Sequence, residues 1–210
     1  MPRAVLPWAV GLASVAGFVA LSVQVVSGRL SWLDASALGW VDAVRTARLT
    51  EVMRAVTHLG DGWTLGLLSV AACCVLWGSG NRRATVFLLC VSAGAGLLDN
   101  GLKLAFARER PDIVLRMVRA SGFAFPSGHA MASTAVYAAL AHVAIGRTRA
   151  WRRWAMPMLA VVLVLVVGWS RVYLHVHYAS DVLGGWLLGL SWYVLLGQLI
   201  LGGGRRVEPS

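Results

Sequence analysis

The sequence predicts an all-α polytopic membrane protein with six transmembrane helices and an interfacial amphipathic segment between the first and the second. Three observations predict it. Hydrophobic residues make up 58% of the chain and charged residues only 13%, at a mean hydropathy of +0.70, whereas soluble domains carry roughly a quarter charged residues. Six apolar runs are long enough for a hydrocarbon core of ~30 Å, which takes ~20 residues of helix. Between those runs the arginines gather in short clusters. A chain of 210 residues suits one domain, so 1–210 is read as a single membrane-embedded unit.

The first run spans about 7–27. Its start, MPRAVLPW, followed by uncharged sequence to Val26, imitates a secretory signal. Five further apolar runs follow, which favours an uncleaved first crossing. The connection over 28–62 balances four arginines with four acids and places Val41, Val44, Leu49, Val52, Met53 and Val56 at roughly helical spacing. It reads as one or two amphipathic helices lying in the outer interface. The remaining runs cover 63–79, 84–106, 129–146, 154–174 and 179–202, some reaching full length only with polar ends. Trp8, Trp63, Trp77, Trp154 and Trp169 stand near run ends, as interfacial anchors do.

Net charge is +10, a balance that suits nucleic acid or a membrane. Six crossings put Arg3, Arg82, Arg83, Arg147, Arg149, Arg152, Arg153, Arg205 and Arg206 on one side. The positive-inside rule then accounts for them without a nucleic-acid partner. Both termini are expected in the cytoplasm, and the 107–128 loop and the 175–178 turn outside. Cys73, Cys74 and Cys90 fall inside apolar runs without metal-ligand spacing and read as buried thiols. Gly94, Gly96, Gly184, Gly185 and Gly189 read as sites of close helix packing.

Polar clusters interrupt the apolar pattern at three places: KLAFARERP (Lys103 to Pro111), PSGH (Pro126 to His129) and SRVYLHVHYASD (Ser170 to Asp181). The predicted topology brings all three to one membrane face. Lys103, Arg110 and Arg171 supply cations suited to a phosphate with several oxygens. In PSGH, Pro126 fixes the approach, Ser127 can cap, and Gly128 lets backbone N–H groups near an anion at a helix start. His177 and Asp181 are four apart, sharing a face if helical, so the carboxylate can hold one imidazole nitrogen and leave the other free. An imidazole held that way is a nucleophile toward phosphorus, and His129 can protonate the leaving alkoxide.

Lysine, six residues and Arg-Pro, then Pro-Ser-Gly-His, then Ser-Arg, five residues, His, three residues and Asp resembles the three-part signature of the type 2 phosphatidic acid phosphatase (PAP2) superfamily. It is carried here by Lys103, Arg110, Pro111, Pro126, Ser127, Gly128, His129, Ser170, Arg171, His177 and Asp181. The resemblance spans 103–181, and the six apolar runs place the chain with the membrane branch of the family, for which the resemblance implies a six-helix core. It implies Lys103, Arg110, Ser127, Gly128 and Arg171 as phosphate ligands, His177 as nucleophile, Asp181 as its partner and His129 as general acid. It also implies chemistry without a metal or other cofactor. The expected function is hydrolysis of a lipid phosphate or diphosphate through a phosphohistidine. Polyprenyl diphosphate, phosphatidic acid and phosphatidylglycerol phosphate are the candidate substrates, in a bacterial inner membrane with the site on the extracytoplasmic face. A phosphotransferase using the same intermediate is the alternative, and a non-enzymatic phosphate-lipid transporter ranks behind it. No feature sets an oligomeric state.

Other polar residues have plainer readings. His58 and His142 read as packed or snorkelling side chains, and His175 as pointing away from His177, with contact to the substrate as the alternative. Asp99, one turn before Lys103, either forms a surface ion pair or positions that lysine. Glu109, Asp112, Arg116 and Arg119 read as solvated loop charges.

Overall fold

The structure, a computed structural model, describes residues 2–145 and 152–202. Its helices are α1 (Pro2–Val26), α2 (Ser31–Val44), α3 (Ala47–Thr57), α4 (Gly62–Gly78), α5 (Arg82–Phe106), α6 (Gly128–Ile145), α7 (Arg152–Tyr173) and α8 (Ala179–Leu196). No strand occurs among the described residues. Five helices are long and apolar enough to cross a membrane on their own, namely α1, α5, α6, α7 and α8 with its continuation to Leu201. The sixth crossing rests on α4, 17 residues long, which meets the α3 segment at a 46° bend beside Asp61. The 28–62 connection is thus two helices, and the second leads straight into a crossing instead of standing apart from it.

Local chemistry sets the helix ends. The Thr46 hydroxyl accepts from Leu49 N at 3.2 Å to start α3, and the Asn81 side chain accepts from Ala84 N at 3.2 Å to start α5, each satisfying a donor that has no partner in the first turn. At the far end of α5, Ala107 adopts a left-handed φ of 46°, which turns the chain out of the helix into the 107–127 loop.

Packing centres on α6, which touches α4, α5, α7 and α8, while α1 lies outside on α8. The α1–α8 pair is antiparallel, with Gly11 against Val194 and Gly17 against Leu187. The α6–α8 contact is close because α8 presents glycine. A Cβ at Gly185 would stand 2.6 Å from the Ser127 carbonyl oxygen, and one at Gly189 would run into that of Met131. This approach seats the start of α6 on the start of α8, where Ser127 N donates to Asp181 O at 3.0 Å. Gly96 differs from the expectation, because a side chain there would meet nothing within 4 Å. The cysteines differ too: Cys73 is buried, but Cys74 is exposed and Cys90 half-buried. A membrane helix has a lipid-facing side, so an apolar run does not by itself mean burial within the protein.

Helices α2 and α3 dock where α7 ends and α8 begins. Val41 joins Ala130, Val172, Tyr173, Leu174, Val176 and Val182 in one buried apolar cluster, with Leu49 and Met53 packed against it. His175 (φ 56°) is buried beneath them, its ring 3.2 Å from Arg45 Nη2 and 3.3 Å from Asp42 Oδ1. It therefore points away from His177, as its spacing predicts. The opposite end of the bundle carries Arg82, Arg83 and Arg153 at the starts of α5 and α7. Of the other arginines used for orientation, Arg147, Arg149, Arg205 and Arg206 lie outside the described residues, as do the side chains of Arg3 and Arg152.

Candidate active site

The three polar clusters meet at the end of the bundle capped by α2 and α3. Lys103 comes from the last turn of α5 and Arg110 from the loop after it. Ser127, Gly128 and His129 open α6. Arg171 comes from the last turn of α7, His177 from the turn that follows, and Asp181 from the first turn of α8.

His177 does not stand on a helix, so it does not share a helical face with Asp181. α8 starts at Ala179, and Asp181 accepts from Tyr178 N at 2.9 Å; the carboxylate caps the helix and holds the turn that carries His177. His177 Nδ1 is 3.4 Å from Asp181 Oδ2, and Nε2 is 2.9 Å from Arg110 Nη1. A guanidinium only donates, so Nε2 bears the lone pair and Nδ1 the proton that faces Asp181. Burial pushes the His177 imidazole well below its ordinary pKa, helped by the cations of Arg110, Arg171 and Lys103, and leaves it neutral at neutral pH. Arg110 is held in place by the carbonyls of Ser121, Gly122 and Val176 at 3.0, 3.0 and 2.7 Å.

Asp181 has a stronger partner than His177. Arg108 Nη1 donates to Asp181 Oδ1, and Arg108 Nη2 donates to Asp34 Oδ2 at 2.7 Å. Asp34, buried on α2, also accepts from Ser180 N at 2.9 Å and from the Ser180 hydroxyl at 2.8 Å. The guanidinium of Arg108 lies over the Tyr178 ring, 4.3 Å from its centroid. Sequence reading singled out neither Arg108 nor Asp34. A signal was present for Asp34: with Ala37, Leu38 and Val41 it occupies the i, i+3, i+4, i+7 stripe that faces a core.

Lys103 pairs with Asp99 at 2.6 Å, both side chains mostly buried. The Asp99 carboxylate lies against Gly128, where a Cβ would come within 2.5 Å of Oδ2. Of the two readings of Asp99, the surface pair is thereby excluded, and the carboxylate holds Lys103 beside the start of α6. Arg171 Nη1 donates to the Thr57 hydroxyl at 2.6 Å. Arg171 Nε and the Ser127 hydroxyl are buried without a protein partner. Ser127 starts α6 through its carbonyl, which accepts from Met131 N at 2.9 Å, not through its side chain. Two unpartnered buried donors in a cationic site fit the oxygens of an anion.

His129 Nε2 is 2.8 Å from Asp61 Oδ1, and Asp61 Oδ2 is 2.7 Å from His58 Nδ1. Asp61 is a third residue that sequence reading passed over, and His58 is an exposed partner of it, neither packed nor snorkelling. His142 pairs with the Tyr193 hydroxyl at 2.8 Å. Both line a cavity of about 720 Å³ between α6, α7 and α8, away from the polar site, together with Thr134, Val164 and Trp186. In the loop, Glu109, Asp112 and Arg119 are exposed as expected, while Arg116 is partly buried and donates to Pro111 O at 2.8 Å. Among the described residues, no three His, Cys, Asp or Glu side chains gather in a way that could hold a metal ion.

Residues 84–201 match the family model described as PAP2 superfamily. The chain is 35% identical over 155 residues to phosphatidylglycerophosphatase B of Bacillus subtilis, covering 73% of this chain and 76% of that protein. It is 33% identical over 165 residues to decaprenylphosphoryl-5-phosphoribose phosphatase of Mycobacterium tuberculosis, covering 73% and 80%. Among solved structures it resembles the transmembrane PAP2-type phosphatidylglycerolphosphate phosphatase of Bacillus subtilis with a TM-score of 0.87 at 29% identity, over 94% of this chain and 98% of that one.

Proposed function

Because the chain belongs to the PAP2 superfamily, whose members to which it is similar are membrane phosphatases, we propose that it hydrolyses a lipid phosphate or diphosphate through a phosphohistidine on His177. The observation that carries this reading is the buried His177, whose Nε2 faces Arg110 at 2.9 Å within a site holding unpartnered donors on Ser127 and Arg171.

The phosphate oxygens are taken by Lys103, Arg110, Arg171, the Ser127 hydroxyl and the Gly128 amide, and Arg110 turns its donor from Nε2 to a phosphate oxygen as substrate docks. His177 Nε2 attacks phosphorus in line, the P–O bond breaks, and its electron pair leaves with the lipid oxygen, which takes a proton from His129. Asp181 steadies the positive charge that forms on His177. Water then attacks phosphorus and gives a proton to His129, the P–N pair returns to His177, and inorganic phosphate is released. No step draws on a metal.

The relatives' names, phosphatidylglycerophosphatase and decaprenylphosphoryl-5-phosphoribose phosphatase, support a lipid carrying a terminal phosphate at the membrane surface. Phosphatidylglycerol phosphate, phosphatidic acid and a polyprenyl diphosphate are the substrates to try. Arg82, Arg83 and Arg153 at the end opposite the site support a site that faces out of the cytoplasm, in a bacterial inner membrane.

The test is inorganic phosphate release by detergent-purified protein, with chelator present, from those three lipids and a soluble phosphate ester, beside His177→Ala. Release that ignores chelator and disappears in the variant is expected. Turnover that survives His177→Ala overturns the mechanism, and a labelled acceptor appearing in place of phosphate makes the protein a phosphotransferase.

A further inference from the structure

The turn between α3 and α4 is built onto the start of α6 by contacts that lie outside the three polar clusters. Gly60 lies under the His129 ring, where a Cβ would stand 3.1 Å from His129 Cδ2 and 2.5 Å from Val167 Cγ1. The Tyr137 hydroxyl, two turns along α6, donates to Leu59 O at 2.7 Å. One residue before this turn, Thr57 accepts from Arg171. Held in this way, Asp61 presents Oδ1 to His129 Nε2 at 2.8 Å, while His58 occupies Oδ2 at 2.7 Å. A carboxylate with one oxygen on an imidazole and the other tied to a neighbour is the arrangement that fixes a ring's orientation and favours its protonated form.

We propose that Asp61 is the positioning residue of the general acid: it orients His129 and stabilises the imidazolium that protonates the departing lipid oxygen. This rests on reading His129 as that acid. The surroundings make the partner necessary. Lys103 from α5 and Arg171 from α7 face His129 with positive charge, His177 faces it from the turn before α8, and Asp61 is the carboxylate among these neighbours. Two permanent cations beside an imidazole favour loss of its proton, and the Asp61 carboxylate opposes that loss. In the first step the proton on His129 passes to the oxygen that leaves phosphorus. In the second, the proton of the attacking water returns to His129, so no external proton is consumed and Asp61 keeps its charge throughout.

A positioning role separates from a structural one by the leaving group. An alkoxide needs the proton, whereas p-nitrophenolate leaves without it. The experiment compares wild type, Asp61→Asn and Asp61→Glu, full-length in detergent, on phosphatidic acid and on p-nitrophenyl phosphate across pH. On phosphatidic acid Asp61→Asn should lower kcat by about 10- to 100-fold, part of the range for general acid catalysis, with KM changed by less than about threefold. The alkaline limb of its kcat profile should move to lower pH, because losing the carboxylate lets His129 deprotonate earlier. With p-nitrophenyl phosphate the first-turnover burst of p-nitrophenolate, which precedes the water step, should slow by less than about threefold, and Asp61→Glu should recover most of the activity on the lipid. An equal slowing of the p-nitrophenolate burst and of lipid turnover, no loss on the lipid, or an unmoved alkaline limb overturns the proposal. Ring titration of ¹⁵N-histidine-labelled protein, with the His129 signal assigned by its disappearance in His129→Gln, decides independently of turnover. Asp61→Asn should lower the His129 midpoint, and an unchanged midpoint overturns the proposal. Should wild type release no phosphate from either substrate, the hydrolase reading fails by itself, and the titration still decides the role of Asp61.

Discussion

The site holds two histidine–aspartate pairs, and they are built in opposite ways. The side chains of His177 and Asp181 are 2% and 0% exposed, and Asp181 is further held by Arg108 and through it by Asp34 on α2. Those of His129 and Asp61 are 25% and 36% exposed, and the next partner outward is His58, a surface residue. Both pairs join an imidazole to a carboxylate, yet the sealed one suits a ring that must stay neutral and keep a lone pair for phosphorus. The open one suits a ring that must hold and release protons. On the proposed roles, what surrounds the pair, more than the pair, separates nucleophile from acid.

The largest effect that tests this contrast is the loss of the nucleophile. His177→Ala should reduce turnover of the lipid substrate on the order of 10⁴-fold or more, as removing a nucleophile from a concerted site does. His129→Ala should cost about 10²- to 10³-fold, within the span of acid catalysis. Equal losses would erase the distinction. Next comes stability. Arg108→Leu leaves Asp34 and Asp181 buried without their cation, which should cost about 3–5 kcal/mol, read as a lowered Tm in detergent, whereas Asp61→Asn at the open pair should leave Tm nearly unchanged. A pH series sharpens the contrast further. Because the His177 pKa is pushed down, its ring should stay neutral as pH falls from about 7 to 5.5, shown by a ¹⁵N ring signal that does not move over that range and is missing in His177→Ala. The smallest effect belongs to His58→Ala, which frees one oxygen of a carboxylate already in contact with water and should change kcat by no more than about threefold.

The helices were legible because crossing a bilayer sets a length and a hydropathy that no other element shares. The 154–174 run, for example, appears as α7 over Arg152–Tyr173. The motif residues were legible because their chemistry is local: Gly128 beside His129, or Arg171 six residues before His177, says enough within one stretch. What escaped depends on distance in sequence. Arg108 becomes important only when α2 is folded over it, and Asp61 only when its turn lies on α6. His177 and Asp181 look like a helical pair at four-residue spacing, but the carboxylate accepts from Tyr178 N, so the helix begins after the histidine. Asp99 was ambiguous until its burial against Gly128 settled which neighbour it serves.

The link from Asp34 through Arg108 to Asp181 also gives the molecule a remote handle. Asp34 stands on α2, outside the proposed phosphate cradle, and it shares a single guanidinium with Asp181. A compound wedged beneath α2 that separated Asp34 from Arg108 would leave that guanidinium to Asp181 alone and draw the carboxylate further from His177, without touching any group that binds phosphate. Inhibition of that kind would be non-competitive, and raising the lipid concentration would not relieve it.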